Sequence, residues 1–141
     1  LLEQSYVIFR LNSFSRNLRN ELKTSKKIYF YDNGIRNALI ANFNQIEGRA
    51  DRGALWENFL ISERKKFLEY NRLWGNSWFW RTKEQKEIDL VEERDGKITG
   101  YEFKWNPDQK VKIPRLFLDS YENSDFQVIH RDNCDSFLLE Y

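Results

Sequence analysis

The chain has 141 residues, a formal net charge of +1, and an aromatic content of 16%. Its mean hydropathy is −0.78, and no apolar run approaches the roughly 20 residues that a membrane-spanning helix needs, so a membrane-spanning protein is excluded. One cysteine and one histidine exclude an internal disulfide and a zinc site of the Cys/His type within a single chain. We therefore expect a cytoplasmic protein whose length suffices for a real core.

The N-terminal third predicts a small α+β unit. Residues 6–11 and 26–31 are rich in β-branched and aromatic side chains and are expected to form strands. The turn at residues 32–34 contains an Asp and an Asn, either of which can cap a helix over residues 35–43. The polar, glycine-containing stretch 42–51 predicts a loop that leads to the rest of the chain.

Positive charge is concentrated in this N-terminal part. Residues 1–53 carry nine Lys/Arg against five Asp/Glu, whereas residues 54–141 carry fourteen against seventeen. A basic cluster of this kind attracts a phosphate backbone, and binding through it weakens steeply with salt. Two alternatives are a solvated face and a contact with a neighbouring domain. The nucleic-acid contact would involve Arg16, Arg19, Lys23, Lys26 and Lys27.

Residues 54–70 predict an amphipathic helix with one conspicuous carboxylate. Glu57 lies on the same helical stripe as Leu60 and Leu68, which is expected to face inward. A carboxylate there needs a proton, a cation or a hydrogen-bond donor. The alternative is a boundary residue at the edge of the stripe, capped by Arg64 or by water.

An aromatic strand follows this helix. Residues 76–81 are expected to be extended, with Trp78 and Trp80 on one face and Phe79 on the other. A strand that is apolar on both faces predicts burial on both sides. Stacking of nucleobases on the tryptophans is the alternative.

A hairpin in the middle of the chain carries the most informative residues. Its turn contains Asp95 and Gly96, a strong hairpin signal. Glu102 and Lys104 stand on the same face of the second strand, roughly 7 Å apart at Cα. Asp89 lies on the first strand, within pairing reach of them.

Two carboxylates beside an ammonium predict a site for a hard divalent cation. Mg²⁺ takes oxygen ligands, and a metal so placed lowers the pKa of a water and balances charge on a phosphate. Lys104 could hold the attacking water or steady the phosphate. The alternative is a cross-strand ladder of ion pairs on a solvated sheet face. For Lys110 and Lys112, a solvated loop is the expected role and phosphate contact the alternative.

A helix at about residues 114–122 and a strand at 126–130 complete the order helix, three strands, helix, strand. This order, with Glu57, Asp89 and the Glu102-x-Lys104 motif in place, resembles the PD-(D/E)XK nuclease-like superfamily over roughly residues 53–131. The resemblance implies an α/β, restriction-endonuclease-like core with a mixed sheet flanked by helices. We expect that core at residues 51–141, preceded by an N-terminal α+β extension at 1–50.

The resemblance also implies an activity. Glu57, Asp89, Glu102 and Lys104 take the places of the superfamily's catalytic residues, with the three acids as ligands of Mg²⁺ or Mn²⁺. We expect a domain that binds DNA and cleaves it by metal-dependent phosphodiester hydrolysis. The alternative is a non-catalytic module that binds nucleic acid or a protein.

Several segments together resemble an uncharacterised prokaryotic domain that follows an AAA+ P-loop ATPase domain. The chain contains no G-x-x-x-x-G-K-[ST] phosphate loop, so the ATPase is an expected partner elsewhere in the same polypeptide, and the chain is expected to be a C-terminal fragment. Homo-oligomerisation is left open. The segments that carry this resemblance are residues 14–19, 27–38, 53–58, 80–82, 87–91 and 102–104.

Overall fold

The N-terminal unit forms a two-stranded sheet and a helix. Strand β1 (Ile8–Asn12) pairs antiparallel with β2 (Lys26–Phe30), and helix α1 (Asn33–Leu39) follows directly. The side chain of Asp32 accepts a hydrogen bond from the Gly34 N–H and caps α1, as predicted. The helix ends four residues before the predicted position. The computed structural model describes residues 1–16, 19, 21 and 24–140.

A 3-10 turn at Ile46–Gly48 leads into the long helix α2 (Arg52–Tyr70), which confirms the predicted amphipathic helix. Helix α2 ends at Asn71, whose side-chain amide donates to the Phe67 carbonyl and satisfies a terminal acceptor. In the part of the chain that the structure describes, no helix has both the length and the apolarity required to cross a bilayer.

A four-stranded mixed sheet, two short helices and their connections follow α2. The bounds are β3 (Asn76–Arg81), β4 (Glu87–Arg94), β5 (Lys97–Phe103), α3 (Arg115–Ser120), β6 (Ser124–Ile129) and α4 (Cys134–Leu139). The spatial order of the strands is β3-β4-β5-β6. The first three strands pair antiparallel, and β6 pairs parallel with β5 after the crossover helix α3. This is the predicted order of elements, but helix α4 was not predicted.

The β4–β5 turn confirms the hairpin prediction. Asp95 and Gly96 both have positive φ angles, 48° and 77°, which is the backbone of a two-residue turn matched to the twist of the strands. Beyond the turn, Gly100 lets α3 pack closely on β5, because a Cβ there would lie 3.2 Å from Ile88 and 3.4 Å from Phe117.

The sheet separates two apolar clusters. On one side, α2 and α4 pack against side chains such as Phe79, Leu90 and Phe103. On the other side, α3 packs against side chains such as Trp80 and Ile88. Both faces of the sheet are therefore buried in its central part.

The small N-terminal sheet contributes to the first of these clusters. Phe9, Leu11 and Tyr29 are buried in the same cluster as α2 and the main sheet. Phe14 also donates its N–H to the Phe79 carbonyl, at 2.7 Å, along the edge of β3. The two sheets therefore share one core.

The aromatic strand β3 is buried as predicted. Phe79 and Trp80 have no solvent exposure, and the Trp80 indole N–H donates to Glu21 Oε1 at 3.0 Å. Trp78 is partly buried and packs against Phe14, with ring centroids 5.0 Å apart. Core packing accounts for these rings, so β3 offers no open stacking platform through Trp80.

Candidate active site

The predicted acidic residues of the hairpin lie near the end of the sheet where β4 begins and β5 ends. Leu90 pairs with Tyr101, and continuing that register by one residue places Asp89 opposite Glu102. Lys104 follows directly after β5, and its backbone N–H donates to the Ile129 carbonyl at 2.9 Å. The hairpin thus places Asp89, Glu102 and Lys104 at the same end of two neighbouring strands.

A β-bulge lies at Asp89. On β4, Val91 pairs with Trp78, and Ile88 pairs with Trp80. One residue of β3 therefore faces two residues of β4, the first of which is Asp89. Bulges of this type bend a strand and re-aim a side chain, and they are frequent beside active sites.

Asp89 is held by one backbone donor and surrounded by negative charge. The Phe103 N–H donates to Asp89 Oδ2 at 2.8 Å. Burial, together with the charges of Glu57 and Glu102, raises the pKa of Asp89 to about 7, against the lowering effect of that hydrogen bond. The charge of Lys27 also lowers the pKa of Asp89, but it does not offset burial and the two neighbouring carboxylates.

Glu102 and Lys104 form an ion pair, with 2.7 Å between Oε1 and Nζ. Burial works against the shift, but the hydrogen bond to Glu102 and the charges of Glu102, Asp89 and Glu57 raise the pKa of Lys104 above its ordinary value. Lys104 is therefore a fixed cation at neutral pH.

Glu57 is bound by donors from β2. Tyr29 Oη donates to Glu57 Oε1 at 2.5 Å, and Lys27 Nζ lies 3.0 Å from the same oxygen. The alternative in which Arg64 caps Glu57 is wrong, because the Arg64 guanidinium binds Glu92 instead. A carboxylate at this position was expected to need a cation or a hydrogen-bond donor, and Glu57 has both, Lys27 and Tyr29.

Lys27 is a member of this site that the sequence assigned to a nucleic-acid surface. Its ammonium pairs with Glu87 as well as with Glu57, and Glu87 also accepts from Arg81. The charges of Glu57 and Glu87 hold the pKa of Lys27 above its ordinary value in spite of burial. The alternation of β2, with Lys27 and Tyr29 on one face, is the signal that could have found it.

The other basic residues of the predicted nucleic-acid surface are not members of this site in the described part of the chain. Arg16 pairs with Glu93 and lies over the Phe14 ring. Arg19 and Lys26 are exposed, and Lys23 lies outside the described residues. Contact of this set with nucleic acid stays a prediction.

A cleft of about 890 Å³ opens beside Glu102 and Lys104, on the side of α3. Its lining carries more positive than negative charge, and it includes Lys110 and Lys112, for which the sequence favoured a solvated loop. The charged lining residues are Lys86, Lys104, Lys110, Lys112, Arg115, Glu87 and Glu102.

The oxygen donors suit a hard divalent cation, although their side chains are not gathered around one point. Within residues 1–16, 19, 21 and 24–140, no three His, Cys, Asp or Glu side chains are grouped as metal ligands. Lys27 and Lys104 draw Glu57 and Glu102 into ion pairs, while burial and these two carboxylates raise the pKa of Asp89. A set of carboxylate oxygens with excess negative charge is what Mg²⁺ or Mn²⁺ prefers.

Comparison with known proteins identifies the family, but the matching families and relatives have no described activity. The chain is 30% identical over 105 residues to an uncharacterized protein of Mycobacterium bovis and, equally, to an uncharacterized protein of Mycobacterium tuberculosis. The match covers 73% of this chain and 23% of each relative, so the chain spans about a quarter of their length.

No solved structure matches the chain. Residues 1–46 match a family described as a domain of unknown function, DUF8612. Residues 52–134, which contain β3 to β6 and all four predicted catalytic residues, match a second family. The chain belongs to that second family, the domain of unknown function DUF4143.

Proposed function

We propose that this chain is a nuclease-like domain that binds DNA and hydrolyses its phosphodiester bonds with Mg²⁺ or Mn²⁺. The observation that carries the proposal is the position of Asp89 on a bulge, beside Glu102 and Lys104, next to a basic cleft. The order helix, three strands, helix, strand supports a restriction-endonuclease-like core.

The proposed roles of the site residues are metal binding by the carboxylates and binding of water or phosphate by Lys104. Asp89 and Glu102 would hold the metal, and Glu57 would complete the set from α2. When bound, the metal would lower the pKa of a water and balance charge on the phosphate. Lys104, which stays protonated beside Glu102, would hold the attacking water or a phosphate oxygen.

The cleft supplies a path for the DNA backbone. Lys110 and Lys112 lie on the segment between β5 and α3, and Arg115 begins α3, along the cleft that Glu102 and Lys104 also line. Cations arranged beside a reactive carboxylate pair would position phosphates without reading base sequence. Replacing Lys112 by Met should weaken DNA binding and lower the salt slope by about one unit.

The activity is tested by incubating the chain with plasmid, single-stranded and branched DNA in Mg²⁺ or Mn²⁺. The wild type should cleave at least one of them, and Asp89→Asn and Lys104→Met should each lose activity by roughly 10²-fold or more. Lys97→Met is the matched control, because Lys97 lies at the opposite end of β5 and pairs with exposed Asp125.

No cleavage by the wild type, or equal cleavage by the Asp89→Asn and Lys104→Met variants, would contradict the proposal. Circular dichroism and thermal melting of each variant show whether a loss of activity reflects unfolding.

A non-catalytic binding module is the second candidate. Its support is the pairing of Glu57 with Lys27 and of Glu102 with Lys104, which leaves the acids partly neutralised without metal. Calorimetric titration with Mg²⁺ separates the two: binding that is lost in Glu102→Gln favours hydrolysis, and no binding at millimolar metal favours the module.

An ATPase domain in the same polypeptide is the partner we propose. The matched relatives are about four times longer than the stretch they share with this chain, which leaves room for a further domain. Co-expression of the chain with the remainder of its polypeptide, followed by size-exclusion chromatography, tests whether the two associate.

A further inference from the structure

We propose that Lys27 is an internal cation that competes with a divalent metal for the carboxylates of the candidate site, so that the N-terminal sheet sets the metal affinity. This inference rests on the metal site of the proposed function. It adds a residue from outside the matched DUF4143 segment, since that segment begins at residue 52.

Lys27 is largely buried and pairs with two carboxylates. Its Nζ lies 3.0 Å from Glu57 Oε1 and also pairs with Glu87, while its side chain is only 17% exposed. The ammonium also lies 5.4 Å from the centre of the Phe79 ring, a favourable cation–π distance. Lys27 thus joins a carboxylate of α2 to one of β4.

The strand that carries Lys27 is anchored to α2 by the residues that follow Lys27. Tyr29, two residues along β2, is buried in the core and donates to the same Glu57 oxygen that Lys27 binds. Asn58 accepts from the Phe30 N–H at 2.8 Å and donates to the Phe30 carbonyl at 2.9 Å. The ammonium is therefore delivered to Glu57 by a strand that is fixed to α2.

Electrostatics gives this contact its consequence. An ammonium beside Glu57 and Glu87 lowers the negative potential that would attract a divalent cation. It also holds Glu57 through Oε1, so a metal that binds this carboxylate must share it with Lys27 or displace it. Without metal, the same ammonium offsets the repulsion among Glu57, Glu87 and Asp89.

The test is a calorimetric titration of the full chain with Mn²⁺. Lys27→Met should bind Mn²⁺ roughly tenfold more tightly than the wild type, because one positive charge leaves the site. Lys27→Arg, which keeps the charge, should bind as the wild type does. Lys26→Met is the matched control, since Lys26 is the exposed neighbour on the same strand, and its affinity should not change.

The outcomes separate this inference from the proposed function. If no variant binds Mn²⁺, the metal site itself is overturned, and the role of Lys27 with it. If all variants bind equally, or Lys27→Met binds more weakly, the metal site stands and the competition by Lys27 is overturned. Should Lys27→Met fail to fold by circular dichroism, Lys27→Gln, which keeps a donor for Glu57, carries the same expectation.

Discussion

Two of the four acidic residues on strand β4, Asp89 and Glu92, have sharply different surroundings. Glu92 is buried, and both of its oxygens accept from the Arg64 guanidinium at 3.1 Å. Arg94 adds a further contact to the same carboxylate at 3.3 Å. Asp89 accepts one backbone N–H from Phe103, and the charges of Glu57 and Glu102 outweigh that of Lys27 in its surroundings.

The contrast shows what each carboxylate is built to do. The Arg64 guanidinium also donates to the Phe137 carbonyl, so the Glu92 pair ties α2, β4 and the C-terminal helix together. A charge compensated this fully belongs to the architecture. Asp89, at a bulge, has a pKa raised by burial and by two neighbouring carboxylates, which suits a ligand for an incoming cation.

The largest expected effect is a loss of stability when Glu92 is replaced. Glu92→Gln should lower the free energy of unfolding by about 3–5 kcal/mol, because it leaves the buried Arg64 without its counter-ion. Asp89→Asn should leave the metal-free protein at least as stable as the wild type, because like charge is relieved. Urea denaturation of both variants measures the difference.

A double replacement provides the control. Arg64→Met combined with Glu92→Leu should cost less than Glu92→Gln alone, because no buried charge is left unpaired. A Glu92→Gln variant as stable as Asp89→Asn would remove the distinction between the two carboxylates.

The next effect concerns pH. The folded-state pKa of Asp89, about 7, lies above its ordinary value of 3.8, so the folded protein binds more protons between these values. Its contribution to stability should therefore fall as pH rises from about 4 to 7. Between pH 5 and 8 the wild type should lose on the order of 2 kcal/mol relative to Asp89→Asn.

Denaturation of the wild type and Asp89→Asn at both pH values gives this difference directly, since the other titrating groups are common to the two proteins. A difference in unfolding free energy that does not change with pH would show that the pKa of Asp89 is not raised in the folded protein.

The smallest effect is stabilisation by Mg²⁺. At pH 8 and a metal concentration ten times the dissociation constant, the wild type should gain about 1.4 kcal/mol, or roughly 5 °C in melting temperature. The gain should be smaller at pH 6, because protons compete for Asp89. Asp89→Asn in Mg²⁺, and the wild type in NaCl of equal ionic strength, should show no gain.

Much of the fold followed from local patterns. The aromatic strand β3 was predicted with its observed bounds, because a short run that is apolar on both faces is typical of a strand buried on both sides. The turn at Asp95 and Gly96 was also predictable, because its backbone angles favour those residues. Helix α4 was missed, because its six residues are too few for a helical period to stand out.

The site was predictable only in part. Glu102 and Lys104 meet because they stand two residues apart on one strand, which is a local rule. The contact of Lys27 with Glu57 spans thirty residues of sequence and depends on how β2 packs against α2. The bulge at Asp89 depends on the register between β3 and β4, which no pattern within a single strand reveals.

The core shared by the two sheets bears on how the domain can be dissected. The boundary between the two matched families falls between residues 46 and 52, yet Phe9, Leu11 and Tyr29 pack in the same cluster as α2. A recombinant chain trimmed to the second family alone would expose the apolar face that these rings cover and would be prone to aggregation. Biochemical assays of this family are therefore best made with the first fifty residues kept in place.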